Sequence, residues 1–212
     1  MPETSRETSA RIKAVLFDAD GVLQGARPGW KERLTGLVPP ERGAEFLDEV
    51  FAAELPPLRG EGSFPDELAK VLTRWNLTVD VHDVLTVWND IEVYDDALDV
   101  VREVRATGTT VCLATNQQAY RALYMRANLG YDTLFDAEFY SCDLRLAKPD
   151  PAYFQAILTH LSLPAATVLF IDDNALNVEG AQTAGLQAAH HDASSGTTHL
   201  RTLLTTAGVL HP

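Results

Sequence analysis

Short apolar runs alternate with longer amphipathic segments over the second half of the chain. Each apolar run is short enough for one buried strand, and we predict strands over 110–114, 137–140, 167–171 and 186–190. Between them, apolar residues recur at helical spacing, which predicts helices over 95–105, 119–129, 151–161, 175–184 and 197–206. A further strand is predicted over 12–17. This alternation through short loops is typical of an α/β fold, a Rossmann-like parallel sheet with helices on both faces.

The pattern changes in the segment 26–91, which is predicted to be helical and contains no convincing strand. Four amphipathic stretches lie at 30–37, 41–53, 65–75 and 81–88, separated by breaks at Pro39-Pro40, Pro56-Pro57 and Gly60-Glu61-Gly62. We therefore expect a small helical domain over 26–91, inserted into a core formed by 11–25 and 92–212. Residues 1–10 are predicted to be a disordered tail.

The composition is that of an acidic globular protein. The chain has 212 residues, of which 46% are hydrophobic, and a formal net charge of −13. Nucleic acids and anionic membranes are unsuitable partners for such a chain, since they require a basic surface. A phosphorylated small molecule is compatible with it, because a site can be locally positive inside an acidic protein. No apolar run approaches the roughly 18 residues that a membrane-spanning helix needs.

The expected compartment is the cytoplasm. Cys112 and Cys142 form neither a zinc-binding pattern nor a disulfide framework. The polar segment 1–11 is not followed by an apolar stretch typical of a signal peptide. The sequence is compatible with a monomer or a homodimer.

Polar residues suited to catalysis collect where the predicted strands end. Ligands of open parallel sheets bind beyond the carboxyl ends of the strands. The residues expected there are four acids, a hydroxyl, an amide and a lysine: Asp18, Asp20, Thr115, Asn116, Lys148, Asp172 and Asp173. Each alone has an ordinary explanation as a turn, a helix cap or a solvated loop residue. The set is more specific than its members, because independent turns and caps need not arrive in this order.

The chemistry of this set is coherent. Several carboxylates at one edge form an oxygen-rich site suited to Mg²⁺. Asp18 and Asp20, two residues apart at the end of a buried strand, raise each other's pKa unless a cation or hydrogen bonds compensate. Lys148 supplies positive charge for the acids and for a phosphate, while Thr115 can bind phosphoryl oxygens. Because a carboxylate can attack phosphorus, these residues favour phosphoryl transfer.

Four segments then match a known family in order. They are Val15-Leu16-Phe17-Asp18-Ala19-Asp20-Gly21-Val22, Ala114-Thr115-Asn116, Lys148-Pro149-Asp150-Pro151 and Phe170-Ile171-Asp172-Asp173-Asn174. On these segments the chain resembles the haloacid dehalogenase superfamily of phosphohydrolases, from residue 11 to about residue 209. The resemblance implies a haloacid dehalogenase-like core with a type 1 helical cap at 26–91. The nearest subgroup includes sugar-phosphate phosphatases and the phosphatase domain of epoxide hydrolases. One departure is Arg145, where the family often has glycine.

The resemblance also implies a role for each matching residue. Asp18 resembles the nucleophile that forms an aspartyl-phosphate, and Asp20 the general acid/base whose carbonyl also contacts Mg²⁺. Thr115 and Asn116 correspond to phosphate-binding residues, and Lys148 to the catalytic lysine that neutralises Asp18 and the phosphate. Asp172 and Asp173 complete the implied metal site, directly or through water.

The implied activity is a Mg²⁺-dependent phosphohydrolase acting on a small phosphorylated metabolite. Asp20 favours phosphatase over haloacid dehalogenase chemistry, because the dehalogenases of this superfamily lack an acid at that position and need no metal. A phosphomutase that moves the phosphoryl group is the alternative within the superfamily. A non-catalytic domain that binds phosphate esters is less compatible, since every motif residue is retained.

Overall fold

The computed structural model describes residues 11–211, so the predicted tail over 1–10 lies outside the described residues. It contains seven strands: β1 (Ala14–Phe17), β2 (Gln24–Ala26), β3 (Ile91–Val93), β4 (Thr110–Thr115), β5 (Ala137–Tyr140), β6 (Val168–Asp172) and β7 (Gln187–His190). Eleven α-helices accompany them: α1 (Trp30–Thr35), α2 (Gly43–Leu58), α3 (Phe64–Arg74), α4 (Val81–Asn89), α5 (Asp95–Ala106), α6 (Ala119–Asn128), α7 (Tyr131–Leu134), α8 (Ser141–Leu144), α9 (Pro151–Leu161), α10 (Ala175–Thr183) and α11 (Gly196–Thr206).

Five of the strands form one parallel sheet in the order β5-β4-β1-β6-β7. Strand β1 is therefore central, with β4 and β6 as its neighbours. The predicted α/β class and the predicted parallel sheet are confirmed, and each of the five predicted strands lies within two residues of its observed bounds.

The two faces of the sheet bury separate apolar clusters. Along β1, Val15 and Phe17 point into one cluster, and Ala14 and Leu16 point into the other. This alternation follows from the two-residue period of a strand. The first cluster packs under helices α5, α6 and α11, and the second under α9 and α10. With both faces covered, nearly every side chain of the central strands is buried, which explains their continuous apolar runs.

Helices α1 to α4 have a third apolar cluster of their own, centred on Phe46, Leu68, Val71 and Leu85. Their role as a cap over the sheet stays a prediction. The expectation that 26–91 contains no strand is wrong at its ends. Strands β2 and β3 pair antiparallel there and connect the helices to the core as a two-stranded ribbon. Each is only three residues long, which leaves no periodic pattern to detect.

Helix α2 continues through a predicted break. The pair Pro56-Pro57 was expected to lie outside the helix ending at residue 53, but both residues lie in its last turn. Proline lacks an N–H group but keeps its carbonyl. Pro56 O accepts a hydrogen bond from Arg59 N, and Pro57 O accepts one from Gly60 N. The short helices α7 and α8 were also not predicted. None of the helices in residues 11–211 has the length and apolar character needed to cross a membrane.

Helix α10 packs closely on the loop that carries Lys148. A Cβ atom at Gly180 would lie 2.0 Å from Pro149 O, and this helical position has no need of positive φ. We expect Gly180→Ala to destabilise the protein by about 1–3 kcal/mol, because the added methyl group must push this backbone away. Thermal denaturation measures the effect, with the exposed neighbour Glu179→Ala as control. Equal melting temperatures for the two variants would contradict the packing described.

Candidate active site

Three strands bring predicted site residues to one edge of the sheet. Asp18 directly follows β1, Thr115 is the last residue of β4, and Asp172 is the last residue of β6. Because β1 lies between the other two strands, these side chains are neighbours. Asp18 and Thr115 line a cleft of about 580 Å³, whose opposite wall is formed by residues of α1, α2 and α4.

The ammonium group of Lys148 holds two buried carboxylates together. Its Nζ lies 2.7 Å from Asp18 Oδ1 and 2.6 Å from Asp172 Oδ2. It donates a third hydrogen bond to Ala114 O at 3.0 Å, so all three of its donors are used. Burial acts to lower the pKa of Lys148, but the two carboxylates outweigh it and raise the pKa above its usual value. The lysine is therefore held in its charged form although its side chain is only 1% exposed.

Lys148 does not fully offset the negative charge around Asp18. Burial is the largest influence on this carboxyl group, and Asp172 and Asp20 repel its ionised form. Together they raise the pKa of Asp18 to about 7, although Lys148 attracts the carboxylate. Full ionisation of Asp18 at neutral pH therefore calls for a second positive charge nearby.

The residues that could hold a metal ion are Asp18, Asp172 and Asp173, whose carboxylate oxygens lie within 4.8 Å of one another. Such an oxygen-only set fits Mg²⁺, which binds through a few carboxylates together with water and phosphate oxygens. Burial and the neighbouring Asp172 raise the pKa of Asp173, and a cation would relieve this repulsion. Gly21 allows the approach, since a Cβ there would lie 2.1 Å from Asp173 Oδ2.

Asp172 is fixed in place by two asparagines as well as by Lys148. Its Oδ1 accepts a hydrogen bond from Asn174 N at 2.7 Å. The side-chain amide of Asn177 lies 3.1 Å from Oδ1 and 3.0 Å from Oδ2. These donors satisfy the buried carboxylate and hold it in one orientation.

Asp20, the predicted acid/base, lies outside the cluster of close carboxylates and is bound by Arg121. The guanidinium donates two hydrogen bonds to it, of 2.7 and 2.8 Å. Gln117 and Gln24 donate further bonds of 2.7 and 3.1 Å. Burial acts to raise the pKa of Asp20, but Arg121 and the two amides outweigh it and lower the pKa. Asp20 is thus ionised in this arrangement, and it must leave Arg121 or gain a proton before it can act as an acid.

Thr115 and Asn116 have different surroundings. The Thr115 hydroxyl lies in the cleft and accepts a hydrogen bond of 3.2 Å from Gln117 Nε2. The Asn116 amide binds the backbone of Lys148 twice, donating to its carbonyl and accepting from its N–H, both at 2.9 Å. Asn116 therefore ties the end of β4 to the loop that carries the lysine. A role for Asn116 in phosphate binding stays a prediction.

Arg121 and Gln117 were not among the predicted site residues. Gln117 lies two residues after the end of β4, and Arg121 lies in the first turn of α6. The rule that ligands bind beyond the carboxyl ends of strands applies to both positions and could have identified them. Arg145, the departure from the family pattern, is exposed and has a φ of 55°, a value that glycine adopts more readily. The loop thus keeps the conformation that the family's glycine favours.

Removal of the buried ammonium should destabilise the metal-free protein strongly. We expect Lys148→Met to cost about 3–5 kcal/mol, because it leaves the carboxylates of Asp18 and Asp172 buried without their partner. Lys70→Met is the matched control, since Lys70 pairs with Glu67 on the exposed surface and should contribute at most about 1 kcal/mol. Chemical denaturation in EDTA measures both. A Lys148→Met variant as stable as the control would contradict the charge arrangement described.

Comparison with known proteins identifies the family of this chain. The family model described as haloacid dehalogenase-like hydrolase matches residues 12–185. A protein named Phosphatase MT3486, from Mycobacterium tuberculosis, is 32% identical over 203 residues, which cover 88% of this chain and 90% of that protein. A phosphoglycolate phosphatase from Cereibacter sphaeroides is 28% identical and covers 84% of each chain.

A solved structure shares the fold. It is a HAD family enzyme, bt-2542, from Bacteroides thetaiotaomicron, in complex with magnesium and inorganic phosphate. The TM-score is 0.75 at 22% identity, and the match covers 89% of this chain and 98% of the other. The chain therefore belongs to the haloacid dehalogenase-like hydrolase family and is an enzyme of the hydrolase and phosphatase type.

Proposed function

We propose that this enzyme hydrolyses a small phosphorylated metabolite, with Mg²⁺, through an aspartyl-phosphate at Asp18. The observation that carries the proposal is the position of Asp18, which lies in the cleft beside Lys148 and within the cluster of acids suited to a metal. A bound Mg²⁺ would be held by Asp18, Asp172 and Asp173, and would supply positive charge to the phosphoryl oxygens. The carbonyl of Asp20 is proposed as a further ligand.

In the first step, an oxygen of Asp18 attacks phosphorus, and the bond from phosphorus to the leaving oxygen breaks. Asp20 gives its proton to that oxygen, so an alcohol leaves. In the second step, Asp20 takes a proton from water, and the resulting hydroxide attacks phosphorus. The bond between phosphorus and Asp18 breaks, which releases inorganic phosphate and restores both carboxyl groups. Thr115 would bind a non-reacting oxygen throughout, while the charge of Lys148, held beside Asp18, would attract the phosphoryl group without a direct hydrogen bond.

The observed partners of Asp20 add a requirement to this mechanism. Its two hydrogen bonds from Arg121 must be broken or weakened before the carboxyl group can reach the leaving oxygen. A substrate phosphate adds negative charge to the cleft, and it would compete with Asp20 for the guanidinium of Arg121. We propose that substrate binding in this way frees Asp20, which then takes up a proton from solvent and can give it to the leaving oxygen.

The small size of the substrate is supported by the cleft, since about 580 Å³ is within the usual range for a metabolite site. The helices α1 to α4 would act as the cap that covers the substrate and excludes water. A cytoplasmic location is proposed from Cys112 and Cys142, which are both buried free thiols. A monomer or homodimer is the proposed assembly.

The direct test is hydrolysis of an aryl phosphate with Mg²⁺. We expect EDTA to abolish the activity and Asp18→Asn to lower kcat by at least about a thousandfold, since no nucleophile remains. Asp132→Asn, at an exposed position of α7, is the matched control and should retain full activity. Activity that survives EDTA or Asp18→Asn would overturn the mechanism. Chloride release from a haloacid would instead indicate a dehalogenase, and transfer of phosphate within a sugar a phosphomutase.

Mg²⁺ should also stabilise the folded protein. At a concentration about a hundredfold above its Kd, a ligand that binds only the folded state contributes about 2.7 kcal/mol. We expect the melting temperature to rise with Mg²⁺ in the wild type and to stay unchanged in Asp173→Asn, which removes one proposed ligand. Asp132→Asn should respond as the wild type does. An equal response in Asp173→Asn would place the ion elsewhere.

A further inference from the structure

The cleft has two chemically different ends. At the sheet edge it is lined by Asp18, Thr115 and Lys148, where the proposed function puts the phosphoryl group. The opposite wall comes from helices α1, α2 and α4, and its residues are aromatic or aliphatic with one exception: Trp30, Leu34, Phe51, Leu58, Val87 and Trp88, together with Glu54. The leaving group of the substrate must occupy the space against this wall.

Glu54 is the one ionisable side chain that helices α1 to α4 contribute to the described lining of the cleft. It lies on α2 next to the indole of Trp88 and the amide of Gln118, and close to Arg121. Burial raises the pKa of Glu54 to about 7, while Arg121, Trp88 and Gln118 act in the opposite direction and favour the carboxylate. In its ionised form, a carboxyl group at a binding wall accepts hydrogen bonds from hydroxyl groups and repels other carboxylates.

Both cations that line the cleft already have carboxylate partners. Lys148 is bound to Asp18 and Asp172, and Arg121 makes its two-fold contact with Asp20. Among the described lining residues, these are the two basic side chains. In the proposed function Arg121 passes from Asp20 to the substrate phosphate and Lys148 stays with its two acids, so a carboxylate on the leaving group would meet Glu54 without a cation of its own.

The apolar residues around Glu54 suit a carbon skeleton. Trp30 and Phe51 pack edge to face with ring centroids 5.9 Å apart, which gives this wall a fixed shape. Trp88 is similarly packed against Phe64, with centroids 4.8 Å apart. A skeleton that carries hydroxyl groups can lie against these rings and donate to the single acceptor, Glu54.

We propose that Glu54 is a specificity-determining residue that binds the hydroxyl groups of an uncharged leaving group and excludes carboxylated ones. The proposal rests on the proposed phosphatase function. A preference set by Glu54 would distinguish this chain from its phosphoglycolate phosphatase relatives, whose named substrate carries a carboxylate. The same fold would thus accept polyol or sugar phosphates here in place of acid phosphates.

Three esters of similar size test the proposal: glycerol phosphate, terminally phosphorylated phosphoglycerate and propyl phosphate. They carry hydroxyl groups only, a hydroxyl with a carboxylate, and neither. For the wild type, we expect kcat/KM to be about 10- to 100-fold higher for glycerol phosphate than for the other two, as one hydrogen bond to a charged group would give. This comparison needs no variant. A preference for phosphoglycerate would overturn the proposal and indicate that Arg121 binds the carboxylate.

The Glu54→Gln variant tests whether this residue causes the preference for glycerol phosphate over phosphoglycerate. We expect the ratio of kcat/KM for glycerol phosphate to that for phosphoglycerate to fall at least about tenfold, mainly through KM, because an amide no longer repels a carboxylate. Glu54→Asp, which keeps the charge, should retain part of the ratio. Glu49→Gln is the matched control, since Glu49 also lies on α2 but pairs with Arg74 of α3 and does not line the cleft.

The assignment of Glu54 and the phosphatase function can be overturned separately. If an aryl phosphate is hydrolysed but Glu54→Gln keeps the wild-type ratio, the assignment of Glu54 is wrong while the phosphatase function stands. If no ester is hydrolysed in the presence of Mg²⁺, the proposed function itself is wrong. Thermal melts of each variant identify any loss of folding before the ratios are compared.

Discussion

The ion pair network of Lys148 with Asp18 and Asp172 is the interaction on which the site depends. One buried ammonium binds two buried carboxylates at 2.7 and 2.6 Å, and a third acid, Asp173, lies within reach of both. Burial, and after it the charges of Asp172 and Asp20, raise the pKa of Asp18 to about 7 against the attraction of Lys148. The surplus of negative charge is what makes the cluster suited to a divalent cation, and Asp18 suited to attack once that cation is bound.

The fold serves this network through the order of its strands. Placing β1 between β4 and β6 brings the two carboxylates side by side, and each sits at a rigid strand end. The lysine comes from a loop, which needs more support. Asn116 binds its backbone in both directions, and Gly180 lets α10 approach the following Pro149. Contacts with the backbone of this loop therefore determine where the charge of Lys148 lies.

The sequence predicted the central strands and their acidic ends because buried parallel strands have continuous apolar runs and ligands bind at one end of them. It did not predict how Asp20 is held. Its contact with Arg121 spans 101 positions and depends on how α6 docks, which no local pattern encodes. The helical break expected at Pro56-Pro57 was wrong because the carbonyl groups of these residues still accept hydrogen bonds from the chain beyond. Glu54 was missed for a related reason, since its neighbours are assembled from different helices.

We infer that Asp18 needs a second cation beside Lys148 to be fully ionised at neutral pH. Carbon-13 NMR of the Asp18 carboxyl group, titrated with and without Mg²⁺, measures this directly, with Asp18→Asn to assign the resonance. We expect the pKa of Asp18 to be near 7 in the metal-free protein and to fall clearly when Mg²⁺ is added. An ordinary pKa, near 3.8, in the metal-free protein would contradict it, because Lys148 would then be sufficient by itself.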